Sequence, residues 1–176
     1  MVWAGAAGLT LAVGLVGWGL LNARAEPLVR TAAVSLPDWP SDAPPIRIVL
    51  LSDIHLADTV MNRSRLDRIV AQANALHPDV IMLAGDYVVG HASAEADAQA
   101  RGLTAPLASL RARIGVVAVL GNHDYWTSPA SVSGALSRAG IVVLHNQAWR
   151  AGPIAVAGVA DAFSGHDDAE RTLAAA

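Results

Sequence analysis

The stretch Ile46-Arg47-Ile48-Val49-Leu50-Leu51-Ser52-Asp53-Ile54-His55-Leu56 decides the fold. It is an apolar run that stops at a carboxylate and an imidazole. The pattern recurs twice. Val80-Ile81-Met82-Leu83-Ala84 leads into Gly85-Asp86, and Val116-Val117-Ala118-Val119-Leu120 leads into Gly121-Asn122-His123-Asp124. Near-continuous apolar runs bounded by turn residues read as strands buried on both faces, as in a parallel sheet. In open α/β sheets, function sits beyond the carboxyl ends of the strands. Asp53, His55, Asp86, Asn122 and His123 are therefore expected on one rim of one sheet. Carboxylate, imidazole and amide groups gathered there suit divalent metals.

Helical segments separate the runs. Leu66, Ile69, Val70 and Ala73 recur at helical spacing, with Arg65, Asp67 and Arg68 opposite, which predicts a helix from about Arg63 to Leu76. His77-Pro78 ends it. An Ala-rich segment over 93–113 reads as mostly helical, and Pro129 to Ala139 as a helix with Ser128 as N-cap and Gly140 closing it. Ile141–Leu144 and Ile154–Val159 complete the predicted strands. A last helix is expected with Asp167 as its cap and Glu170 three residues on.

The ordered set of D-x-H, G-D and G-N-H-D, each after a strand, resembles the calcineurin-like metallophosphoesterase superfamily. Ile48–Leu56 is especially similar to its membrane-attached bacterial members. The similarity runs from about Ile46 to Ala160. It implies an α/β fold, the amino-terminal half of an α/β/β/α sandwich. It implies a phosphate-ester hydrolase with two divalent metal ions, of manganese, iron or zinc type. Asp53, His55, Asp86 and Asn122 are the implied metal ligands, with Asp86 bridging. Two residues apart in an extended segment, Asp53 and His55 would send their side chains to the same side. His123 is implied to act on the phosphate or its leaving group, and Asp124 to orient the His123 ring.

The resemblance is incomplete. The superfamily completes its site with later histidines, including a Gly-His-x-His pair, and here His166 is followed by Asp167-Asp168. The expectation is a domain over 46–176, cut short at its C-terminus, and a chain inactive by itself. A phosphate mono- or diester, lipid-linked by inclination, is the expected substrate. The alternative is a non-catalytic, membrane-tethered binding module with a degenerate phosphoesterase fold. His77, His145, His166 and Asp161 read as structural, and His91 as a lesser candidate for substrate contact.

The flanking sequence adds a membrane. Val2 to Leu21 carries no charge, and twenty helical residues span about 30 Å. Trp3 and Trp18 lie near its ends, as interface anchors do. The expectation is a transmembrane helix or uncleaved signal anchor over 1–21, either a single pass or the last span of several. The side of the membrane stays open, because only Arg24 and Arg30 bear on it. A Pro-rich linker over 22–45 follows, with Val34 and Leu36 as a short edge strand.

Composition excludes other classes. The 176 residues carry a net charge of −3, so nothing basic marks a nucleic-acid partner. No Cys is present, so thiolate zinc sites and disulfides are excluded. No P-loop or G-x-G-x-x-G follows a strand.

Overall fold

The computed structural model describes residues 2–37, 39–57, 60–90 and 94–176. His91 lies outside the described residues. Four short strands form one parallel sheet in the order β1-β2-β3-β4: Ile48–Leu51, Val80–Ala84, Gly115–Val119 and Val142–Val143. Each is followed in space by its sequence neighbour, so every crossover steps the same way. Right-handed crossovers of that kind place all connecting helices on one face. Helices α2 (Arg63–Ala75), α3 (Ala94–Leu107) and α5 (Pro129–Arg138) accordingly pack side by side.

The core lies between those helices and the sheet. Leu66, Val70 and Ala73 of α2, Leu103 and Leu107 of α3, and Val132 and Leu136 of α5 meet Val49, Ile81, Leu83 and Ala118. Full burial of one such aliphatic side chain is worth about 1.5–3 kcal/mol. The α2 prediction holds because its apolar stripe is buried at the expected positions and Asn62 caps it, accepting from the Arg65 amide. His77 takes a left-handed φ of 49° just beyond the helix and is exposed.

The opposite sheet face is largely bare. Leu50 is 65% exposed, and Ile48 and Val142 are also open to solvent. A hairpin of β5 (Gln147–Ala151) and β6 (Ile154–Gly158) touches part of this side, setting the Trp149 ring against Gly115. The far face of a sheet predicted to be buried on both sides is thus only partly covered.

Helix α3 covers most of the Ala-rich segment 93–113 and stops at Leu107, one residue after the ring of Pro106. Three local readings are corrected. Val34 and Leu36 form no strand; both are exposed, in a chain without ladder bonds. Asn122–Thr127 is a helix, α4, where a loop was expected. The cap of α6 (Ala169–Ala174) is Asp168, whose carboxylate accepts from the Arg171 amide, and not Asp167.

Helix α1 (Val2–Ala23) precedes the domain, with side chains described from Gly8. Among the described residues no helix is long and apolar enough to cross a membrane. From Gly8 to Ala23 every side chain but Gly17 is exposed, so α1 stands clear of the core. Its C-terminal end is held to α2. The Arg65 guanidinium donates to the carbonyls of Ala23 (2.5 Å) and Ala25 (2.8 Å). Arg68 pairs with Glu26 at 3.0 Å, and Gln72 donates to the Pro27 carbonyl.

Candidate metal centre

The rim at the carboxyl ends of β1, β2 and β3 gathers the motif residues. His55 Nε2 lies 3.8 Å from Asp53 Oδ1 and 3.9 Å from Asp86 Oδ2. His55, Asp86 and His123 each offer an atom within 4.8 Å of the others, and the two imidazoles meet edge to face at 4.7 Å. Two ligand atoms each about 2.0–2.2 Å from one cation are at most about 4.4 Å apart. The donors therefore fit a divalent ion with little movement. Asn122 opens α4 on the same rim, straight after Gly121.

The backbone reaches this arrangement by an unexpected route. Asp53, His55 and Asp86 all have positive φ, at 54°, 46° and 58°. The Asp53–His55 segment is not extended, so its side chains do not converge by strand alternation. Long-range bonds hold it instead. The amides of Asp53, His55 and Leu56 donate to the carbonyls of Gly85, Asp86 and Tyr87. Left-handed backbone at a residue other than Gly costs about 1–3 kcal/mol and persists only where its surroundings impose it.

Asp124 does not orient His123. It is fully buried, and its two oxygens accept from the amides of Gly121, Asp86 and Tyr87 at 2.9 Å, with Val88 at 3.4 Å. It clasps the second motif loop to the third. Burial pushes its carboxyl above the usual carboxylate range, while the converging amides pull the other way. Asp86 answers across the same junction, its Oδ1 accepting from the His123 amide. A Cβ on Gly121 would fall 2.3 Å from Asp86 Oδ1, so only glycine lets the loops close this tightly. The Nδ1 of His123 is buried without a hydrogen-bond partner.

Two features escaped the sequence reading. Tyr87 is wholly buried, and its hydroxyl donates to the carbonyls of Leu83 and Val119, tying β2 to β3 beneath the site. Burial raises its pKa well above the ordinary tyrosine value. The Trp126 ring lies 5.1 Å from that of His123 at a tilt of 56°, and meets Phe163 edge-on at 5.5 Å. The signal for both was adjacency: each lies within three residues of a motif carboxylate or imidazole. His145 and His166 gather round Tyr125, whose hydroxyl lies 2.9 Å from His145 Nδ1.

A parallel sheet with carboxylates and imidazoles at three consecutive strand ends defines a class of metal-dependent hydrolase. The family model for calcineurin-like phosphoesterases matches residues 46–167, and the chain belongs to that family. Among curated proteins, a bovine (Bos taurus) "transmembrane protein with metallophosphoesterase domain" is 42% identical over 130 residues. That match covers 73% of this chain and 28% of the bovine protein. The Danio rerio protein of the same name is 39% identical, covering 75% and 29%. The UDP-2,3-diacylglucosamine pyrophosphatase LpxG of Chlamydia muridarum is 35% identical over 82 residues, 47% of this chain and 23% of that enzyme. The chain spans less than a third of the length of each of these relatives.

Proposed function

We propose that the chain carries the first ligands of a two-cation phosphoesterase centre that cleaves a phosphate mono- or diester at a membrane surface. The observation that carries the reading is the meeting of His55, Asp86 and His123 around one point, with Asp53 beside them. Divalent cations held there neutralise phosphoryl charge and make water a nucleophile at neutral pH. Manganese, iron and zinc all suit nitrogen and oxygen donors.

Asp53, His55 and Asp86 would hold a first cation, and Asp86 with the Asn122 amide oxygen would hold a second. His123 faces the phosphoryl group and holds a proton for the leaving oxygen. Asp124 is a positioning residue that fixes Asp86 and His123 relative to each other. Relatives named as transmembrane proteins support the membrane setting. The LpxG match supports a lipid-linked substrate.

Titration calorimetry with Mn²⁺ tests the reading. The chain binds the ion, and Asp86→Asn abolishes binding. Unchanged affinity in Asp86→Asn overturns the assignment. Metal content separates the roles of the two histidines: His55→Ala loses the ion, whereas His123→Ala keeps it and, in the full-length enzyme, lowers kcat by about 10²–10⁴-fold. A metal-free His123→Ala protein makes His123 a ligand.

A further inference from the structure

Four rings touch in series, starting at the metal centre. His55 meets His123 edge to face at 4.7 Å, His123 meets Trp126 at 5.1 Å, and Trp126 meets Phe163 at 5.5 Å. His123 and Trp126 stand three residues apart on α4, which puts them on one helix face. The outer two rings reach solvent: Trp126 is 41% exposed, and Phe163, the single Phe of the chain, is 78% exposed. Neither belongs to the buried core.

Phe163 is set in place by its own turn. The Asp161 carboxylate accepts from the amide and the hydroxyl of Ser164, and the Ala162 carbonyl accepts from the Gly165 amide. The His166 amide returns to the Asp161 carbonyl, and the Asn146 side chain donates to the His166 carbonyl. The backbone is therefore bonded on both sides of an exposed ring. Aromatic rings pair with centroids about 4.5–7 Å apart, offset or edge to face. Trp126 and Phe163 meet with ring planes at 72°, so one of them keeps both faces clear of the other. The series ends in an aromatic corner that has room for a further ring.

We infer that Trp126 and Phe163 form the leaving-group subsite of the centre and take a planar aromatic ring. The inference rests on the function proposed above, which puts His123 at the leaving oxygen, and deepens it by naming the class of ester. With His123 at that oxygen, the next group outward is the Trp126 ring, and the leaving group lies over Trp126 and Phe163. The substrate ring is carried directly, as in an aryl ester, or through a sugar, as in a nucleotide. A saturated alcohol gains contact area there without stacking, and stacking on one aromatic side chain tightens binding by about 5–150-fold.

Calorimetry with two matched pairs of ligands tests the inference. Benzylphosphonate and cyclohexylmethylphosphonate share an anion and a carbon count and differ in the planarity of the ring. Adenosine 5′-monophosphate and ribose 5-phosphate differ by the base. The Mn²⁺-loaded protein should bind the planar member of at least one pair about tenfold more tightly. Preference in the first pair reads an aryl ester, preference in the second a nucleotide, and either supports the inference. Phe163→Ala should remove most of the preference and Phe163→Tyr should restore it, with Mn²⁺ affinity unchanged in both. Phe163 lies outside the core, so neither change threatens the fold. Equal affinities within both pairs, or a preference that survives Phe163→Ala and Trp126→Ala alike, overturn the inference. Equal affinities with Mn²⁺ bound overturn it alone. A Phe163-dependent preference in a protein that binds no Mn²⁺ overturns the metal centre and leaves the ring subsite standing.

Discussion

At the scale of single residues, the centre is assembled against local preference. Asp53 has a left-handed φ and a side chain 68% exposed, so it gives the apo fold little and costs it backbone strain. Asp53→Gly should stabilise the metal-free protein by about 1 kcal/mol, since glycine takes that conformation freely. The same change should weaken Mn²⁺ binding, and thermal melts with and without the ion check both signs. Asp124 is the converse case. Asp124→Asn turns an NH₂ toward backbone amides that need acceptors, at a cost of about 1–3 kcal/mol. Urea denaturation should show the loss, and it should exceed that of Asp53→Ala. The clasp was not legible because Asp124 directly follows His123, where adjacency suggests a local partner. Three of its four amide partners are 36 to 38 residues away.

At the scale of elements, the strands and α2 were legible because their patterns are unambiguous. An apolar run of four to six residues ending in a turn residue has few other uses, and the α2 stripe repeats twice. Helix α4 was not, though a cue existed: Asp124 stands three residues after Gly121 and accepts its amide, half of a capping box. The edge strand at 34–36 failed because alternation over three residues does not supply a bonding partner. The start of β1 owes its place to Asp79, whose carboxylate accepts from the Arg47 amide (2.8 Å) and from Arg113 Nε (2.5 Å). These bonds hold its pKa below the model-peptide value of 3.8. A depressed folded pKa means the contribution is complete above pH 3.8 and disappears as pH falls through the folded value. Asp79→Ala should therefore destabilise by about 1.5–3 kcal/mol at pH 7. The gap from wild type should close as pH falls through the lowered value of the folded state, as unfolding curves in acid will show.

At the scale of the whole molecule, one layer of helices covers one face of the sheet. On the other face Ile48 and Leu50 are exposed along the edge strand β1, and exposed apolar side chains on a sheet edge favour association. Leu50→Glu should lower self-association in sedimentation velocity while leaving the melting temperature within about 2 °C, because Leu50 packs on little. The family was legible in three motifs, since their order and spacing restrict the choice sharply. The point where α1 leaves the domain was not, because it depends on where a Pro-containing linker lies, and Arg65 fixes that through carbonyls of no particular sequence.

The strand order β1-β2-β3-β4 carries a consequence for synthesis. Each new strand pairs only with the one made just before it, so no early segment waits unpaired for a late one. Each pairing waits for one crossover connection only, so the parallel sheet closes in steps as the chain lengthens. The domain can grow strand by strand as the chain leaves the ribosome, at about 5–20 residues per second. The rim then ripens in the order Asp53, Asp86, His123, and Asp124, the next residue to emerge, closes the clasp.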